Sequence, residues 1–266
     1  MSRYESLFRQ CDQQKRIAFI PFVMLGDPDF DTSIDIIKTL VEAGADALEL
    51  GIPFSDPVAD GPVIQTAAIR ALSSNMTTTR SFEILARVRE LFPDIPIGLL
   101  LYSNLVYRKG IEAFYKQCAT DQIDSVLIAD VPLRESTLFD GIANKHGVES
   151  VHILPPNPGE KTLQQVAKLS KGYTYVLGRA GVTGAGIAAK MPSQDIMQKL
   201  TQYNAAPPVM GFGISKPEQV TEAKAHGFKG AISGSAVVNI IENNLSNKTK
   251  MLSELALFVE RMKAAT

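Results

Sequence analysis

A chain of 266 residues, 45% of them hydrophobic and 21% charged, is long for one ordinary domain but suits a single α/β barrel. Its 27 Lys and Arg nearly balance 28 Asp and Glu, which argues against disorder and against a nucleic-acid partner steered by a basic surface. Two cysteines outside any metal-ligand spacing, no signal-peptide core in MSRYESLFRQCDQQKR and no stretch near ~18 apolar residues argue for a cytoplasmic protein without metal or membrane.

The opening segment is amphipathic and reads as an extra N-terminal helix. From there apolar runs alternate with helical periods. The first run is 17–23 (IAFIPFV), followed by a helix over 32–43, where Ile34, Ile37, Leu40 and Val41 recur at three- and four-residue spacing. Next come 47–51 (ALELG), a long loop at 52–61 and a helix over 81–91, then 97–102 (IGLLLY) with a helix over 111–119. The runs 125–130 (SVLIAD), 150–154 (SVHIL) and 173–177 (YTYVL) follow, with helices over 135–145 and 160–169, and a second long loop at 178–191. The series ends with a helix over 193–202, 208–212 (PVMGF), a helix over 217–225, 230–233 (GAIS) and a helix over 248–262. Eight near-continuous apolar strands, each followed by a helix, predict an α/β fold: one (β/α)8 TIM barrel spanning residues 1–266 as a single domain. An open dinucleotide-binding sheet fits less well, because IAFIPFVMLGD has no glycine-rich turn. In a barrel both long loops lie at the active-site face.

Strand alternation points Glu49 opposite to Leu48 and Leu50, toward the barrel axis if the leucines face the helices. A carboxyl there serves either as a general acid/base with a raised pKa or as half of a buried ion pair. The run GIPFSDPVADGP places Asp56 and Asp60 on a loop stiffened by Pro53, Pro57 and Pro62. Each aspartate serves either the chemistry or a turn, Asp60 as the cap of a helix starting near Pro62. GFGIS after the seventh strand and SGSA after the eighth resemble the anion site of phosphate-binding barrels, with Gly213, Gly234 and Ser235 as contacts and Gly184 as a fourth donor. Residues 184–189 match G-x-G-x-x-A, but some seven residues beyond their strand, which favours a lid over a dinucleotide turn. Three histidines at no ligand spacing, and no lysine at a strand's C-terminal end, leave acid/base catalysis without a cofactor. Phe22, Leu100, Tyr102, Leu127, Ile153, Tyr175 and Phe212 are the expected pocket wall, suited to a flat apolar ring.

The segments LELGIPFSDPVADGP, PIGLLLYSNLVY, VLIADVPL, AGVTGAG, GFGISKPEQV and GAISGSAVV resemble, over essentially the whole chain, the alpha subunits of tryptophan synthases. The resemblance implies a (β/α)8 lyase that cleaves indole-3-glycerol phosphate to indole and glyceraldehyde 3-phosphate. It has no cofactor of its own and passes indole to a pyridoxal-phosphate-dependent beta subunit in an αββα tetramer. It further implies Glu49 as general acid/base and Asp60 as the partner of the indole N–H. Tyr175 becomes a substrate contact, and Phe22, Leu100, Leu127 and Phe212 contacts to the ring. Thr183 becomes the lid residue closing on Asp60, and Gly184, Gly213, Gly234 and Ser235 the phosphate contacts. Pro53, Asp56, Pro57, Asn104 and Pro132 become partner contacts. The lid departs from the family's frequent Ser-Arg-Ser-Gly-Val-Thr-Gly. This chain reads Gly178-Arg179-Ala180-Gly181-Val182-Thr183-Gly184, two hydroxyls fewer and one glycine more.

Overall fold

The computed structural model describes residues 1–178 and 191–266. Helix α1 (Arg3–Gln13) starts from a reciprocal cap, in which the Glu5 N–H donates to Ser2 Oγ and the Ser2 N–H to Glu5 Oε2. Its buried residues Tyr4, Leu7, Phe8 and Cys11 fall at helical spacing on one face. Nine strands follow among the described residues: β1 (Ala18–Met24), β2 (Leu48–Gly51), β3 (Ile97–Leu101), β4 (Ser125–Ile128), β5 (Glu149–Ser150), β6 (His152–Leu154), β7 (Thr174–Leu177), β8 (Pro208–Gly211) and β9 (Gly230–Ser233). All pair in parallel, in the order β5-β4-β3-β2-β1-β9-β8-β7-β6.

Nine strands replace the expected eight because the fifth is split at Val151. Its two pieces sit at opposite ends of the sheet order, and Val151 joins them while donating its N–H to Val126 O at 3.0 Å. The Ser150 carbonyl accepts from Lys171 on the other side. The break is therefore one irregular residue in the strand that closes a (β/α)8 barrel.

The expected helices are present as α2 (Phe30–Glu42), α4 (Thr78–Leu91), α6 (Ile111–Thr120), α7 (Thr137–Lys145), α8 (Glu160–Leu169), α9 (Gln194–Gln202), α10 (Pro217–Ala225) and α12 (Lys248–Ala264). The helix expected near Pro62 is α3 (Pro62–Ser73), and two more enter the mouth-side connections: α5 (Ser103–Lys109) and α11 (Ser235–Asn243). Helix α5 is seven residues long, too short to show a period. Helix α11, SAVVNIIEN, is rich in β-branched residues of low helix propensity, which burial of Val237, Val238 and Ile241 overrides.

The N-terminal ends of the strands are closed. Tyr4 of α1 is buried there, its hydroxyl 3.1 Å from Ser125 Oγ. Two aspartates latch the same end. Asp46 accepts from the Phe19 N–H and pairs with Arg16 and Lys263. Asp124 accepts from the Ile97 N–H and pairs with Arg3 and Arg89. Arg89 is 6% exposed and also donates to four carbonyls, of Phe92, Pro93, Ile95 and Gln122. Asp124→Ala strands this guanidinium in the interior, and equilibrium denaturation is expected to show a loss of about 3 kcal/mol or more. Lys145→Ala, which breaks the exposed pair with Glu112, is expected to cost under about 1 kcal/mol in the same assay.

Candidate active site

Glu49 lies on β2, in register with Phe22 of β1 and Gly98 of β3. It is 2% exposed, and its Oε1 accepts from the Tyr173 hydroxyl at 3.0 Å. Tyr173 immediately precedes β7, which in the sheet order is separated from β2 by β1, β9 and β8. The bond therefore crosses the barrel, and Glu49 points to the axis while Leu48 and Leu50 fill the outer core. Among the described residues the partner of the buried carboxyl is a phenol, and not the lysine or arginine of an ion pair. Burial pushes its pKa up to about 8, and the tyrosine bond offsets only part of that. Beneath it the Tyr173 ring meets Tyr4 edge-on at 5.4 Å, so the chain of groups from Glu49 runs down to the closed end.

Asp60 ends the loop after β2 and is 5% exposed. The residue that caps α3 is Gly61, which releases Asp60 from a capping role. The Tyr102 hydroxyl, which accepts from the Ala59 N–H at 3.2 Å, lies beside the Asp60 carboxyl. Burial again raises the pKa, here to about 6, although that hydroxyl favours the ionised form. The Asp60 carbonyl is held by Gln65 Nε2 at 2.7 Å. Asp56 is exposed and bonds Ser55, a loop residue outside the carboxyl pair.

Tyr175 brings the two carboxyls into one field. It is buried, and both Glu49 and Asp60 oppose ionisation of its phenol after burial itself. Its ring packs edge-on to Phe212 at 6.1 Å. A side chain at Gly211 would come within 2.0 Å of the Tyr175 ring, and one at Gly51 within 2.8 Å of Phe22. These strand-end glycines are the room that the two aromatics occupy. Leu100 and Leu127 stand in register with each other on β3 and β4, Leu100 half-exposed and Leu127 buried.

Beyond β8, Phe212 and Gly213 both take positive φ, at 68° and 78°. Gly234 is the N-cap of α11 and offers no side chain to its first N–H groups, which leaves the helix end suited to an anion. The Ser233 hydroxyl donates to Ile214 O at 2.7 Å and ties the two loops together. A second tie runs through Arg70 of α3, which holds buried Asp27 with two bonds of 2.7 and 2.8 Å and reaches Glu242 of α11 at 3.2 Å. Thr183 and Gly184 lie outside the described residues, as does the lid segment from Arg179 to Lys190. Among the described residues no group of three or more His, Cys, Asp and Glu is placed to hold a metal ion, and no helix is long and apolar enough to cross a membrane.

The sequence profile of the family described as tryptophan synthase alpha chain matches residues 8–266. The chain belongs to that family. A tryptophan synthase alpha chain of Francisella tularensis is 58% identical over 265 residues, covering 100% of this chain and 98% of the relative. The Escherichia coli relative is 55% identical over 266 residues, covering 100% and 99%. Among solved structures, the alpha subunit of Legionella pneumophila superposes with a TM-score of 0.89 at 26% identity, covering 100% and 98%. A chain of the Pyrococcus furiosus α2β2 complex superposes with 0.84 at 30% identity, covering 93% and 98%. Membership makes the chain a lyase of L-tryptophan biosynthesis that cleaves indole-3-glycerol phosphate to indole and glyceraldehyde 3-phosphate.

Sequence reasoning missed the phenols as partners of the carboxyls. The signal for one was present: in Tyr173-Thr174-Tyr175 the alternation puts both tyrosines on one face, so a pocket role for Tyr175 carries Tyr173 into the interior with it. Tyr102 was an expected wall residue, but nothing in the sequence joins it to Asp60.

Glu49 holds its proton to about 8 against an ordinary 4.5. The unfolded chain releases that proton near 4.5, so the stability tied to this group is intact below 4.5. It is lost as the pH rises toward 8, by about 1.4 kcal/mol per pH unit. Glu49→Gln removes the titration and keeps an acceptor for Tyr173. Denaturation midpoints at about pH 5 and about pH 8.5 are expected to show the variant's advantage growing with pH.

Proposed function

We propose that protonated Glu49 and ionised Asp60 carry out the cleavage together. The Glu49 carboxyl gives its proton to C3 of the indole ring, which becomes an indolenine with positive character at nitrogen. Asp60 accepts the indole N–H and stabilises that charge. Glu49, now a carboxylate, takes the proton of the side-chain hydroxyl, and the C–O pair collapses to the aldehyde of glyceraldehyde 3-phosphate. The breaking C–C bond returns its electrons to the ring. Glu49 ends protonated, so the cycle is balanced without an outside base.

The observation that carries this reading is the pair of buried carboxyls, each beside a phenol, with pKa values raised unequally to about 8 and about 6. Near neutral pH one is an acid and the other an anion, which is what the two roles require. The apolar ring then lies among Phe22, Leu100, Leu127, Tyr175 and Phe212. Gly184, Gly213, Gly234 and Ser235 receive the phosphate, and Thr183 closes over Asp60. The chain acts as a single domain over residues 1–266, in the cytoplasm, without a cofactor of its own.

The mouth also serves as the surface for a pyridoxal-phosphate-dependent beta subunit, which takes the indole within an αββα tetramer. Asp56, Pro57, Asn104 and Pro132 carry the contact, while Pro53 of the same loop is buried. Val58, 75% exposed beside Pro57, and the half-exposed Tyr107 near Asn104 support an apolar partner there. The Pyrococcus furiosus relative is an α2β2 complex.

An indole-release assay on the purified chain, alone and with a beta subunit, tests both parts; no release in either case sinks the proposal. Because Asp60 must lose its proton and Glu49 keep its own, kcat/KM against pH is expected to rise through about 6 and fall through about 8. Glu49→Gln is expected to abolish release with substrate binding retained. Asp60→Asn is expected to lower kcat by about 100-fold or more; an effect confined to KM defeats its assigned role.

A further inference from the structure

The loop after β8 has an unusual backbone for its residues. Phe212 takes φ 68° and Gly213 φ 78° in succession, and a phenylalanine in the left-handed region persists only where its surroundings hold it there. Most of the bonds that hold the loop come from one amide. Gln219, the third residue of α10, accepts with Oε1 from the N–H of Ser215 at 2.8 Å and of Lys216 at 2.9 Å. The Ser215 hydroxyl reaches the same oxygen at 3.3 Å. With Nε2 it donates to the Gly213 carbonyl at 2.7 Å. From the β9 side the Ser233 hydroxyl takes the Ile214 carbonyl. Side chains thus hold the Gly213 and Ile214 carbonyls and the Ser215 and Lys216 N–H groups. The Gly213 N–H, the group proposed to meet the phosphate, belongs to none of these bonds.

We infer that Gln219 is the positioning residue of the phosphate site: it sets the left-handed turn that aims the Gly213 N–H at the anion, without touching substrate itself. This rests on the reading that the β8 and β9 loops bind the phosphate. An amide suits the task because it accepts and donates at once. A glutamate in its place would oppose the Gly213 carbonyl and bring a negative charge toward the phosphate. The third helical position often carries Glu or Gln reaching back to cap its own helix. Here the reach extends from Lys216 back to Gly213 and fixes the loop as well.

The test compares Gln219→Met, which keeps length and helix propensity, with Gln219→Ala and wild type. Each acts on indole-3-glycerol phosphate and on indole-3-glycerol, which lacks the phosphate, and amide NMR follows inorganic phosphate at Gly213, Gly234 and Ser235. Both variants are expected to raise KM for the phosphorylated substrate about tenfold, with kcat within about threefold. kcat/KM for indole-3-glycerol is expected to stay unchanged, and the Gly213 amide is expected to need more phosphate to shift. An unchanged KM, or equal losses on the two substrates, overturns the inference. If wild type itself turns over both substrates equally and phosphate moves none of the three amides, the phosphate-site reading fails, and the inference with it.

Discussion

A carboxyl group buried on the barrel axis with a phenol as its donor, at 2% exposure, is the constraint around which this protein is built. An ionised carboxylate there, without a cation, is costly, so the group keeps its proton. Water must then be kept out from below. Helix α1 does this by setting Tyr4 under Tyr173, and the two aspartate latches seal the rim of the same end. What looks like an accessory N-terminal helix is in this sense part of the acid: it supplies the low-polarity floor that holds the proton.

The second carboxyl differs in degree rather than kind. Asp60 is also buried and also lies beside a phenol, yet it sits on a loop near the mouth and its pKa rises less. Two side chains of the same chemistry therefore exist in opposite protonation states near neutrality, separated by depth in the barrel. Their spacing depends on how firmly the loop is anchored. Arg70 supplies one anchor, because it joins the helix that begins just after Asp60 to the loop after β1 and to α11, whose N-terminus is the proposed anion site. The proposed ring end and phosphate end of the pocket thus share a connection through one guanidinium.

The barrel was legible in the sequence because its strands are buried on both faces and so read as continuous apolar runs. The fifth strand, SVHIL, ran together as one element, since a single irregular residue at Val151 leaves no compositional trace. Helix α11 was hidden by its valines and isoleucines, whose preference for strands is overruled by burial. At the site, Glu49 could be aimed at the axis by alternation alone. Its partner could not, because Tyr173 lies across the barrel and a contact between distant strands has no local signal. Asp60 carried the opposite difficulty. Its position invited a capping role, and only the structure hands that role to Gly61 and sends the carboxylate inward.

The pairing of β1 with β9 joins the first strand to the last, with Ala18 opposite Gly230. During synthesis β1 emerges early and then waits for roughly 200 further residues, on the order of 10 to 40 s at ordinary translation rates. Throughout that interval its edge is unpaired and its seven apolar positions lack half their cover. The latches at the closed end offer provisional shelter, because Asp46 accepts from the Phe19 N–H and pairs with Arg16 long before Lys263 arrives to complete the set. The barrel's most distant strand pairing is thus also the one that a ribosome-bound chain must guard longest, and the carboxylate that guards it is made within thirty residues of the strand it protects.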